Sequence, residues 1–200
     1  MKALVSNGKN DLNLLDLPEP VCGPDDLIIK TQQIGVCGTD LEIIHNKMDP
    51  EYIRYPATIG HEWTGKVIEI GSNVKGFDIG QRVVVEGLIP CQKCHECAIG
   101  ATNRCLTYDE IGFTRPGGGS EKVLIPARMA HKINENVTVE SAQLAEPTCV
   151  VMNAYTKADL APDRKILIIG DGTIGLIAAT LAKTYKPKFR SEEHTSELQS

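Results

Sequence analysis

Four cysteines crowd one short stretch: Cys91, Cys94, Cys97 and Cys105 follow the pattern C-x2-C-x2-C-x7-C. No other feature limits the fold as sharply. Between them stand Gln92, Lys93, His95 and Glu96, so the segment has no apolar core and needs another anchor. Four thiolates so close in sequence close a tetrahedral shell around one zinc ion, with Zn–S bonds of about 2.3 Å and no open position. Such a site is structural and does no chemistry. A second donor set lies upstream, in Cys37 and the adjacent pair His61 and Glu62. A thiolate and an imidazole both suit zinc, and Glu62 either ligates the metal or sits beside it. Three protein ligands leave a fourth position for water or substrate, which is the catalytic arrangement.

Cysteine number supports this reading. Seven are an odd count for a disulfide framework, and no charged start followed by an apolar core stands near Met1. The expectation is a reducing, cytoplasmic compartment and metal ligation. Two zinc sites use five cysteines. Cys22 and Cys149 remain as small hydrophobes, Cys149 less securely so. A net charge of −5 offers no basic face to a nucleic acid. Residues 166–182 are almost wholly apolar, but they include Asp171 and three glycines and fall short of the ~20 residues of a membrane span. No nucleic acid and no membrane is expected as a partner.

Up to about residue 140, short β-like runs alternate with Gly, Pro, Asn and Asp. Leu27-Ile28-Ile29, Lys66-Val67-Ile68-Glu69-Ile70, Arg82-Val83-Val84-Val85 and Glu121-Lys122-Val123-Leu124-Ile125 read as strands of a compact, mostly β domain. A short helix is expected over 39–46. The pattern then changes. A helix is expected from Ser141 to Glu146, interrupted by Pro147, and a second over 148–158. Lys165-Ile166-Leu167-Ile168-Ile169 reads as a buried parallel strand. It runs into Gly170-Asp171-Gly172-Thr173-Ile174-Gly175 and a helix over 176–183. A lone G-x-G-x-x-G is weak, but its place between strand and helix strengthens it. Gly170 suits the tight turn, Gly172 a close pyrophosphate and Gly175 close helix–strand packing, and the phosphates face the helix N-terminus. Arg190 to Ser200 has no apolar period and resembles the translation of a sequencing adapter. It is set aside from the fold as a non-native tail.

Gly60-His61-Glu62-Trp63-Thr64-Gly65, continuing to Gly71 and Val74, reads G-H-E-x2-G-x5-G-x2-V. Together with Cys37 before it, and the cysteine lobe and glycine turn after it, this resembles the zinc-dependent medium-chain dehydrogenase/reductase family. The resemblance runs from residue 1 to about 187. It implies a GroES-like, mostly β catalytic domain over 1–147, the start of a doubly wound Rossmann domain over 148–187, and the tail over 188–200. It implies two zinc ions per chain and NAD or NADP, held at Gly170, Gly172, Thr173, Ile174 and Gly175. Asp40 resembles the carboxylate that orients the imidazole of His61. Leu144-Ala145-Glu146-Pro147 resembles the Glu-Pro of polyol, sugar and threonine dehydrogenases, which makes Glu146 a ligand of the catalytic zinc, with Cys149 its rival. Thr39 resembles the hydroxyl that binds the substrate oxygen and starts a proton relay; helix capping is its plainer role. Glu42 stands where the family often has histidine, and either binds substrate hydroxyls or is a solvated helix residue.

The resemblance therefore implies a homo-oligomeric oxidoreductase. It would oxidise a secondary alcohol of a polyol or sugar-like small molecule to a ketone by hydride transfer. Alternatives are a threonine or glucose dehydrogenase-type activity, a zinc-binding fragment without activity, and a zinc-free reductase. The intact cysteines and His61 argue against the last.

Overall fold

The computed structural model describes residues 1–162 and 164–185, and residues 189–193 as backbone. Two compact units form, Met1–Leu144 and Ala145–Ser200.

The first unit runs β1 (Lys2–Ser6), β2 (Asn13–Asp16), β3 (Asp26–Ile34), α1 (Gly38–Ile44), β4 (Ala57–Thr58), β5 (Trp63–Ile70), β6 (Arg82–Val85), β7 (Leu88–Ile89), α2 (His95–Ala98), β8 (Asp109–Glu110), β9 (Lys122–Pro126), β10 (Ala130–Lys132) and α3 (Val139–Gln143). Its main sheet has the order β10-β6-β5-β3-β9, with every neighbouring pair antiparallel. A β2-β1-β4 sheet and a β7-β8 ribbon flank it. Branched aliphatic residues fit a pleated, buried surface, and the centres of β3, β5 and β9 are built from them. Leu27, Ile29, Val67, Val83, Val123 and Ile125 are all at most 1% exposed and form one core.

The register carries β3 and β5 together from Leu27↔Ile70 to Ile34↔Trp63, shifting between Ile28 and Ile29 and between Thr31 and Gln33. Such irregularities bend and re-aim a strand. The second comes shortly before Cys37 on one strand and just after Glu62 on the other, and the two strand ends stay tied: Gly35 N donates to Glu62 O at 2.7 Å. A second core of Ile43, Ile53, Ala57, Ile59 and Phe113 supports α1 from beneath.

The second unit contains α4 (Ala145–Lys157), β11 (Lys165–Ile169), α5 (Thr173–Tyr185) and β12 (Phe189–Glu193). Strands β11 and β12 pair in parallel, from Lys165↔Phe189 to Ile169↔Glu193. Val151, Tyr155, Ile166, Ile168, Ala179 and Ala182 form its core. This is a βαβ arrangement, the start of an α/β fold beside a mostly β unit.

Four details depart from the sequence reading. Pro147 does not interrupt a helix; it sits in the first turn of α4, where its missing N–H has no helical partner to lose. The break falls earlier, at Leu144, which caps α3. Strand β11 is not buried on both faces: Ile166 and Ile168 are covered, while Leu167 and Ile169 are 61% and 60% exposed. Helix α5 begins at Thr173 rather than 176, so Gly175 lies inside it. Finally, Arg190 to Glu193 of the segment set aside extends the parallel ladder, because strand pairing uses backbone groups and needs no apolar period. Residues 194–200 lie outside the described residues. No helix among those described is long and apolar enough to cross a membrane.

Candidate metal centres

The cysteine lobe closes on itself. A tetrahedron with Zn–S bonds of about 2.3 Å has edges of about 3.8 Å. Here Sγ of Cys94 lies 3.5 Å from Cys97 and 3.8 Å from Cys105, and Cys91 lies 4.0 Å from Cys97. These separations are far too long for disulfides and match the edges of a metal tetrahedron. All four sulfurs lie within 4.8 Å of one another. Cys91 N also donates to Cys105 Sγ at 3.3 Å. The thiols do not ionise alike. The Thr107 hydroxyl and the Lys93 backbone bring Cys91 down to about 5, whereas burial and the neighbouring Cys94 push Cys97 up to about 12. The donor set fits a structural zinc.

The second centre forms where two segments meet. Cys37 precedes α1, while His61 and Glu62 stand directly before β5. One donor atom from each of the three lies within 4.8 Å of the others. His61 and Glu62 are 9% and 8% exposed. Asp40, only 1% exposed, organises the backbone around them. It accepts from Cys37 N at 2.8 Å and from Gly60 N at 3.2 Å. Its Oδ1 lies 3.6 Å from His61 Nδ1, beyond hydrogen-bond length, so it attracts the ring as a charge and anchors the loops as an acceptor. Gly60 has φ +99°, and a Cβ there would meet Gly119 N at 3.0 Å and run into Ile34. Only glycine lets the chain enter His61 at this angle. The Phe113 ring covers His61 with centroids 5.1 Å apart.

His61 Nδ1 is buried without a hydrogen bond. Burial favours the neutral ring, but the Asp40 carboxylate and the Cys37 sulfur outweigh it and push His61 up to about 9. The pocket therefore attracts positive charge. A buried, unsatisfied ring nitrogen beside a thiol and a carboxylate fits a divalent metal with mixed S/N/O ligation.

The remaining sequence candidates are distributed as follows. Thr39 Oγ1 is 3.8 Å from Cys37 Sγ and half-buried. Glu42 is exposed on α1 and belongs to neither donor cluster. Glu146 lies half-buried in the first turn of α4, in the second unit, and Cys149 is exposed one turn on. In the glycine turn, Gly170 has φ +116°. Nothing lies within 4 Å of where a Gly172 Cβ would stand, and a Cβ on Gly175 would collide with the Gly170 backbone. Tight turn, open approach and close packing are the three properties a pyrophosphate site asks of these positions. A neighbour of the second centre escaped the sequence reading, Phe113, whose ring lies 5.1 Å from that of His61. It lies about fifty residues from His61 in the chain, and no local spacing marks it.

The model of the alcohol dehydrogenase GroES-like domain matches residues 23–135, more than half of the chain. The chain belongs to this family. The family's zinc-dependent dehydrogenase branch is where its relatives fall. L-threonine 3-dehydrogenase of Alteromonas mediterranea is 36% identical over 92% of the chain and 54% of its own length. Galactitol-1-phosphate dehydrogenase from Escherichia coli superposes with a TM-score of 0.88 at 29% identity, over 96% of this chain and 55% of that one. A dehydrogenase of Sinorhizobium meliloti 1021, described as zinc-binding and solved with NADP, gives 0.89 at 29% identity, over 96% and 55%. This GroES-like chain thus spans about half the length of the curated relatives it matches.

Proposed function

We propose that the chain supplies the metal-binding half of a zinc-dependent, NAD(P)-linked alcohol dehydrogenase. In this reading it oxidises a secondary alcohol of a polyol or sugar-like molecule, or of a threonine-like one. The observation that carries it is the convergence of half-buried Cys37 with His61 and Glu62 within 4.8 Å. Relatives named as threonine and galactitol-1-phosphate dehydrogenases support the substrate class.

Cys37, His61 and Glu62 would hold the zinc, with Glu146 a further candidate ligand on the strength of its Glu-Pro motif. Zinc bound there supplies Lewis acidity that lowers the pKa of a substrate alcohol. Everything else falls to the chain. Asp40 keeps the Cys37 and His61 loops in place through two backbone hydrogen bonds. Phe113 shields one side of the imidazole from water. Thr39 Oγ1 accepts the proton released by the alcohol and passes it outward. Glu42, exposed, is a solvated helix residue in this reading. The turn from Gly170 to Gly175 holds the nicotinamide cofactor, the hydride acceptor, by its pyrophosphate.

A second reading has its own support. The chain covers 54% of its relatives, and its α/β unit contributes two parallel strands among the described residues. It would then bind metal without turnover. Incubation of the chain with secondary alcohols and NAD or NADP separates the two. Nucleotide reduction that Cys37→Ser abolishes supports the enzyme; zinc binding without any reduction supports the fragment. Reduction that survives Cys37→Ser contradicts the proposed centre.

A further inference from the structure

Gly35 is buried, and the space beside its bare Cα is shared by two other side chains. A Cβ on Gly35 would collide with the amide nitrogen of Gln143, and it would stand 2.6 Å from Glu62 Oε2 and 3.2 Å from Glu62 Cβ. The amide of Gln143 and the carboxylate of Glu62 therefore enter one small gap from different elements. Gln143 is the last residue of α3, and Glu62 stands directly before β5.

Both sides of the gap are anchored. Gly35 N donates to Glu62 O at 2.7 Å. Helix α3 packs on β3 and β5. Its cap, Thr138, accepts from Ser141 N at 3.2 Å. Gln33 Nε2 donates to Gln143 Oε1 at 3.4 Å, which occupies the amide oxygen and leaves the amide nitrogen for the gap. Glu62 is 8% exposed, and among the described residues no ion pair reaches its carboxylate. A carboxylate so far removed from water needs a cation or a hydrogen-bond donor for each oxygen. One side of Glu62 joins the donor cluster of Cys37 and His61. The other meets Gln143.

We infer that Gln143 is a positioning residue of the second metal centre: its amide donates to one carboxylate oxygen of Glu62 and leaves the other for the metal. This rests on the proposed function, since it takes Glu62 as a ligand. The sequence leaves open whether Glu62 ligates the metal or sits beside it. On this inference α3 makes that choice, from outside the donor cluster, and Glu62 binds through a single oxygen. Carboxylates that ligate metals are held in this way by outer partners, whose loss weakens metal binding.

The test reads metal binding rather than turnover. The 200-residue chain is titrated with cobalt(II), whose visible spectrum reports the number and kind of ligands, and with zinc against a competing chelator. Cys37→Ser keeps the cysteine lobe intact and supplies the baseline, so the difference from it is the second centre. Gln143→Met removes the donor at nearly constant length and bulk, and Gln143→Leu is carried beside it. In both, affinity at the second centre should fall about tenfold or more. The cobalt bands of that centre should change, while the bands of the lobe and the denaturation midpoint of the metal-free chain stay close to the parent. Unchanged affinity and bands at the second centre overturn the inference. So does a weaker affinity that comes with unaltered bands and an equally lowered midpoint, which marks Gln143 as a packing residue alone. A cobalt spectrum that does not respond to Cys37→Ser overturns the metal centre itself, and the proposed function with it.

Discussion

At the scale of single residues, the second centre is held by one carboxylate and tuned by one imidazole. Asp40 is buried and serves two backbone donors. Asp40→Ala would strand both N–H groups, each at about 1–3 kcal/mol. A loss of about 2–6 kcal/mol is expected in chemical denaturation, with weaker metal binding. His61 gives a pH signature. Its folded pKa is raised to about 9 from 6.5. The stability it contributes is therefore complete below pH 6.5 and disappears as pH rises through about 9. A shift of this size corresponds to about 3 kcal/mol. Denaturation of the metal-free chain between pH 6 and 10 should show this decline, and His61→Gln should flatten it. Saturating zinc should also flatten it, because metal and proton compete for one ring. Cys37, His61 and Glu62 were legible in the sequence because few residue types bind zinc and these stand in a recognisable order. Phe113 was not, because only the folded turn brings it to His61.

At the scale of elements, the cysteine lobe has almost no apolar burial to hold it. In the cysteine lobe only Cys105 is buried, and Ile99 and Leu106 point outward, 60% and 83% exposed. Cys94→Ser should therefore remove about one zinc per chain and lower the melting temperature, since a closed site contributes folding free energy directly. Unchanged metal and melting temperature would contradict this. In the second unit, Gly175 packs against the Gly170 backbone. Gly175→Val should push α5 away from β11 at a cost of about 1–3 kcal/mol and weaken NAD(P) binding, which isothermal titration can measure. The strands of the first unit could be read from their aliphatic runs, and Arg82–Val85 was read to the residue. The boundary near Pro147 could not be read so closely. A proline is compatible both with the end of one helix and with the first turn of the next, and the sequence does not distinguish them. One-sided burial of β11 was equally hidden, since an all-aliphatic strand looks the same whether one face is covered or both.

At the scale of the whole molecule, a mostly β unit carries both donor clusters and an α/β unit carries the glycine turn. The order of motifs along the chain was enough to identify the family, because each motif is weak alone and their sequence is not. The central claim is that two separate metal centres are built into the first unit. Metal analysis of the purified chain after zinc loading and desalting tests it most directly, beside Cys94→Ser and Cys37→Ser. The account predicts about two zinc ions in the parent chain and about one in each variant, with folding weakened far more by Cys94→Ser. A parent chain with one zinc that Cys37→Ser leaves in place, or with none, would contradict it.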